Sequence, residues 1–209
     1  MSSRPTAPNR RSTKNEYIET DTGNKISRRA HIEGKQNIML GGKSVLMAGV
    51  TLRGDLHRLQ EQSEGDERSK GPVTAINIGR ACIISTNCTL RPPMRIHHGT
   101  MTFYPMRMGD NIFIGHSTHV SSIHIASHVH IGANCVLGPF SVIKDNCKVL
   151  PNTVVPPHMI VPAGSVVGGR PARILGEVGD GWGQGQTGGG EEEWVEGGDL
   201  RGVVRSIKG

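Results

Sequence analysis

Five histidines, His116, His119, His124, His128 and His130, crowd into one short stretch of this 209-residue chain. Imidazole is a preferred zinc ligand. Three around an open water position would make a hydration or hydrolysis centre. Four cysteines, Cys82, Cys88, Cys135 and Cys147, offer thiolate ligands or nucleophiles, although no CxxC pair occurs. Arg53 and Asp55 flank Gly54, a spacing suited to a charge-assisted pair. His97 and His98 are adjacent and offer a general base. Whether any of these groups work together depends on the elements that carry them.

A strict period answers that. From Ile125 an aliphatic residue returns every six positions, at Ile131, Leu137, Ile143, Val149, Val155, Val161 and Val167. The residue four after each is mostly small, as at Cys135, Ser141, Cys147, Thr153 and Ser165. Shorter runs obey the same rule: Ile26, Ile32 and Ile38; Leu46 and Leu52; Ile78, Ile84 and Leu90; Met108, Ile114 and Val120. The step from Val120 to Ile125 is one residue short. Six residues is neither a helical nor a plain alternating period. It predicts a three-sided coil, each side a short strand plus a turn, with both marked positions pointing inward. Stacked coils about 4.8 Å apart then share main-chain hydrogen bonds. The fold class is all-β, a left-handed parallel β-helix of hexapeptide repeats with about six coils. Such a prism is narrow, in keeping with the 3% aromatic content. Glycine after the aliphatic residue, at 132, 138 and 168, is expected to supply turn conformations that a Cβ disfavours.

The period places the reactive groups. All four cysteines occupy the inward small slot and read as buried apolar residues. The five histidines fall on outward positions, none a full coil from another, and read as surface residues rather than a zinc site. No metal, cofactor or catalytic residue is expected. Arg53 and Asp55 read as an ion-pair staple between coils or subunits.

Two segments break the rhythm. Residues 56–75 are polar and charged and read as a loop ejected from a corner. Residues 91–107 contain Pro92, Pro93, Phe103 and Tyr104 and read as a less polar excursion that packs on the wall or on a partner. The domain is expected over 16–175. Residues 1–15 form a basic leader and 176–209 a Gly-rich, acidic tail with a short helix at 191–208. The segment before Ile26 is expected to cover one open end. The tail or a partner covers the other. Charge is uneven: residues 1–43 hold nine Lys/Arg and four Asp/Glu, and 176–209 hold three and seven. The leader lacks the aromatic residues of single-strand binders, so no nucleic acid is expected. No apolar run spans a bilayer, and no apolar stretch follows the basic N-terminus. Neither membrane insertion nor secretion is expected, and the cysteines read as reduced.

Leu52-Arg53-Gly54-Asp55 before hexapeptide coils resembles the γ-class carbonic anhydrases. In that family three histidines bind zinc at a subunit interface. At the matching places this chain has Arg91, His116 and Ser121, so the resemblance implies a lost zinc site. Val167-Gly168-Gly169-Arg170-Pro171-Ala172-Arg173-Ile174 resembles the closing coil of hexapeptide acyltransferases. An acyl-CoA-dependent transferase, with His97 or His98 as base, or a γ-type anhydrase is therefore the alternative reading. A closer resemblance covers about 16–176. Glu16 to Thr20, Gly23 to Arg28, Gln36-Asn37-Ile38, Arg53 to Leu56, Leu90 to Pro93, Phe103-Tyr104-Pro105, Ile112 to Ile114 and Ile123 to Val136 are similar to the dynactin subunit 5 family. The resemblance implies a non-catalytic subunit of the dynactin pointed-end complex, cytoplasmic and cytoskeleton-associated. Its implied partners are a second β-helix subunit, an actin-related protein, other dynactin subunits and dynein cargo adaptors. Arg53, Asp55, Arg91, Pro92, Pro93, Phe103 and Tyr104 are the candidate partner contacts.

Overall fold

The computed structural model describes residues 16–57, 74–97, 99–179, 182 and 204. The leader 1–15, most of the 56–75 loop and nearly all of 180–209 lie outside the described residues. The rest is a left-handed parallel β-helix with three flat faces, in six coils. The first coil comprises Lys25–Ser27, His31–Glu33 and Ile38–Leu40, one strand per face, and the second Val45–Leu46, Thr51–Arg53 and Ile76–Ile78. Ile83–Ile84, Thr89–Leu90 and Met106–Met108 make the third; Phe113–Ile114, His119–Val120 and His124–Ile125 the fourth. The fifth holds His130–Ile131, Val136–Leu137 and Val142–Ile143; the sixth Lys148–Val149, Val154–Val155 and Ile160–Val161. Phe113 pairs with His130 but His130 with Lys148, so the fourth coil lacks one residue, removed in the turn between Val120 and His124.

The hexad rule is met inside the prism. Ile84, Leu90, Ile114, Ile131, Leu137, Ile143 and Val149 are wholly buried, as are Cys82, Cys88, Cys135 and Cys147. Each thiol also donates across coils: Cys82 Sγ to Gly109 O at 3.3 Å, Cys88 Sγ to Gly115 O at 3.1 Å, Cys135 Sγ to Leu150 O at 3.2 Å and Cys147 Sγ to Pro162 O at 3.0 Å. Burial pushes the Cys82 thiol up to about 12 and Cys88 to about 11.

The glycine expectation is corrected. Gly132, Gly138 and Gly168 are absent from the left-handed region. Gly132 and Gly138 are small because the next coil passes so close, and a Cβ on Gly132 would meet Pro151 N at 2.5 Å; a Cβ on Gly168 would meet the Leu175 and Leu150 side chains. The left-handed residue comes two positions later. It is usually not glycine: Asn87, Asn111, Asn134, Asn146 and Asn152 all have φ near 55–60°. Asparagine tolerates that region better than other side chains do.

At the N-terminal end Tyr17–Glu19 pairs antiparallel with Lys25–Ser27 and covers the first face's edge; residues 1–15 of the segment expected to cover this end lie outside the described residues. At the other end Arg173–Glu177 folds back antiparallel on Ser165–Gly168. Ala172 joins the core there, and its N–H bonds Val154 O at 2.8 Å. The two described tail residues return along the outside rather than cap an end. Trp182 Nε1 donates to His128 O at 3.0 Å, and Lys25 Nζ donates to Val204 O at 3.0 Å. Val204 clusters with Val45 and Ile83, outward residues of the first face, and Tyr17, Met47 and Phe113 pack against the group.

Candidate functional site

Both interruptions leave the prism at the same edge. The 56–75 loop departs after Thr51–Arg53 on the second face and returns at Ile76–Ile78 on the third. The 91–107 excursion departs after Thr89–Leu90 and returns at Met106–Met108. These are the second-to-third-face corners of adjacent coils, so the seven candidate contact residues gather along one corner.

At its base, Leu52 pairs with Leu90, so Arg53 and Arg91 continue from registered positions. Arg53 grips Asp55 with two donors, Nε at 2.8 Å and Nη2 at 2.7 Å. It also reaches Glu33 of the first coil at 3.1 Å. The guanidinium holds the Asp55 carboxyl below the usual carboxylate range, and Asp55 in turn raises Arg53. Arg91 is exposed. Burial and, secondarily, the Arg91 charge push His119 down.

Pro92 and Pro93 are buried and lead the chain outward. Proline suits this exit because it holds an extended φ and has no N–H to leave unpaired. Met94–His97 and Thr100–Phe103 then form an antiparallel hairpin, with Ile96 opposite Met101 and Met94 opposite Phe103. Tyr104 N donates to Pro93 O at 2.9 Å and closes the neck. The hairpin lies along the corner ridge. The Tyr104 ring meets Phe140 edge-on at 5.3 Å, Phe140 stacks on His158 at 5.3 Å, and the Arg95 guanidinium lies 5.8 Å from the Phe140 centroid. The excursion therefore packs on the wall through one side. On it, Ile96 is 65% and Met101 54% exposed.

Sequence reasoning marked the excursion but missed Arg95, Ile96, Met101, Phe140 and His158. A signal for two of them was present. Phe140 and His158 occupy the left-handed slot, with φ of 59° and 61°, where asparagine is common. A ring there trades backbone ease for an outward contact.

The metal candidates stay apart. His116 is exposed on the turn between the first and second faces, whereas Arg91 and Ser121 lie between the second and third. Among the described residues, no group of three His, Cys, Asp or Glu is placed to hold a metal ion. His130 corrects the surface reading of the histidines: it is 8% exposed and stacks on Phe113 at 4.9 Å. His98 lies outside the described residues. His97 ends the first hairpin strand. Among the described residues no helix is long and apolar enough to cross a membrane.

Comparison with known proteins gives two kinds of likeness. Among solved structures, an N-acyltransferase, AntD from Bacillus cereus, in complex with dTDP and coenzyme A, has a TM-score of 0.58 at 15% identity, covering 80% of this chain and 93% of that one. The perosamine N-acetyltransferase of Caulobacter crescentus, with CoA and GDP-perosamine, has a TM-score of 0.52 at 18% identity, over 74% of this chain and 57% of that one. At such identities the likeness shows the fold alone. Among curated proteins, Dynactin subunit 5 of Dictyostelium discoideum is 35% identical over 114 residues. The match covers 54% of this chain and 49% of that protein, so the chain spans about half the length of this relative. The family model for Dynactin subunit 5 matches residues 9–184. That span takes in every coil, the corner hairpin and the returning last strand, and this chain belongs to the dynactin subunit 5 family.

Proposed function

We propose that this chain is a structural, non-catalytic subunit of dynactin, seated in the pointed-end complex and serving dynein-driven transport in the cytoplasm. Its partners are a second β-helix subunit, an actin-related protein and other dynactin subunits, and through them dynein cargo adaptors. Family membership supports the dynactin role. The fold supports the scaffold role, because each inner coil is hydrogen-bonded to two neighbours and offers rigid faces with little ordering cost on binding. The reading of the corner rests on one observation: the hairpin presents Ile96 and Met101 as an exposed, directly paired apolar couple. Arg53, Asp55 and Arg91 add charge at the same corner, and the half-buried Phe103 and Tyr104 add ring surface at the hairpin's base. An apolar centre with a polar rim is the anatomy of a protein interface.

The test is affinity purification of the tagged full-length chain from its own cells, with mass spectrometry of bound proteins and a zinc assay on the same sample. Actin-related protein, a second β-helix subunit and dynein chains should co-purify, without stoichiometric zinc. The Ile96→Ser/Met101→Ser variant should keep its circular dichroism and lose most of the bound partners. A zinc-loaded homotrimer without partners would overturn the assembly reading. Full partner recovery by the variant would remove the hairpin from it.

A further inference from the structure

The six coils are not equally closed. The hexad aliphatic residues of the second to sixth coils are all buried, but Ile26, Ile32 and Ile38 of the first are only half-buried. They line a cavity of about 610 Å³ at the N-terminal mouth of the prism, with Leu46 and Leu52 on its floor. Tyr17–Glu19 shields the first face, and Ile18, 46% exposed, stands beside the opening. The strands His31–Glu33 and Ile38–Leu40 end the other two sheets. At the opposite end Ala172 packs into the core.

We propose that this mouth is a second docking site, distinct from the corner hairpin, for an extended segment of another protein that carries aliphatic side chains flanked by carboxylates. Three features select that occupant. An edge strand presents free main-chain donors and acceptors, which an added strand satisfies. The aliphatic floor takes aliphatic side chains. The charged rim sets the flanks: Arg28 and Lys35 stand against Glu33, whose carboxylate lies 3.1 Å from Arg53. The rim is thus cationic and favours an acidic partner.

The same charges weigh against two other occupants, the N-terminal residues and a second copy. Residues 1–15 contain Arg4, Arg10, Arg11 and Lys14 with few apolar side chains, so they repeat the rim's sign and bring little aliphatic surface. Two mouths of this chain face to face would juxtapose like charges. The inference goes beyond membership of dynactin and holds for any assembly the chain joins.

The probe is a synthetic peptide alternating isoleucine and threonine between paired glutamates, compared with a lysine-flanked twin. Fluorescence polarisation on the full chain should show at least tenfold tighter binding of the acidic peptide. Hydrogen exchange should slow at 25–40 when it binds. His31→Glu/Lys35→Glu, both at exposed positions, should preserve the fold and reverse the preference between the peptides. Equal binding of the two peptides, or unchanged exchange at 25–40, would overturn the proposal. So would concentration-dependent self-association abolished by the same variant, since a second copy would then be the occupant.

Discussion

At the scale of the residue, the prism is decided by three positions in each hexad. The aliphatic residue and the small one fill the interior, and the residue between them at positive φ turns the corner. Gly132 shows how little room is left, with Pro151 N only 2.5 Å from where its Cβ would stand. Gly132→Val should cost about 1–3 kcal/mol by overpacking, read as a lower urea midpoint. An unchanged midpoint would show that the coils can part there at no cost. Cys82 fills the small slot as a neutral thiol, with its pKa pushed up to about 12 by burial. The unfolded thiol ionises near 8.5. The folded value is the higher one, so the thiol's contribution to stability is complete below about pH 8.5 and is lost as pH rises toward 12. Serine serves the same slot at Ser141 and Ser165, so Cys82→Ser should still fold. Its denaturation midpoint should fall less steeply than the parent's between pH 9 and 11, measured by urea titration at each pH. Equal slopes would mean that Cys82 ionises as readily folded as unfolded.

At the scale of the element, the corner hairpin is held by rings rather than by the prism's hydrogen bonds. Tyr104 and Arg95 both rest on Phe140, and Phe140 rests on His158. Phe140→Ala removes the shared contact and should cost about 1 kcal/mol, the usual worth of an aromatic pair. Amide exchange should rise in 94–103 and stay constant in the inner coils. A rise spread over every coil would place Phe140 in the common core instead. Much of this element was hidden in the sequence, for physical reasons. The run from Ile125 to Val167 was legible because every hexad buries the same two side chains, which makes composition periodic. The hairpin obeys no such rule: Arg95, Ile96 and Met101 answer to the ridge and to solvent, not to an interior. The open mouth was equally invisible. Ile26 and Ile32 keep the six-residue spacing of their buried counterparts Leu46 and Leu52, whereas on the third face the register puts Leu40, not Ile38, opposite Ile78; nothing in the spacing marks a first coil. Nor does local sequence announce that Val204 meets Lys25. The corner candidates Arg53, Asp55, Arg91, Pro92 and Pro93 were found because they flank the breaks in the rhythm.

At the scale of the molecule, the prism behaves as a one-dimensional stack in which each coil touches only its neighbours. Stability is then close to a sum over coils and their interfaces. That makes coils removable, provided register is kept. His130 pairs with Lys148, Val136 with Val154 and Val142 with Ile160, so deleting 130–147 removes one whole coil and brings Lys148–Val149 against Phe113–Ile114. Every inward side chain still points inward. At about 0.1 kcal/mol per residue, the missing coil is worth about 2 kcal/mol, a fall of roughly 4–8 °C in Tm. Deleting 130–138 instead cuts the coil at its middle. The strand Val142–Ile143 would then fall half a hexad out of step, in the turn after the first face, and the sheets beyond would lose their partners. The first deletion should give a cooperative melt at lower temperature and the second no melt at all, both followed by circular dichroism. If the two unfold alike, the stack is not modular, and long-range contacts such as Trp182 with His128 hold the molecule together more than its coils do.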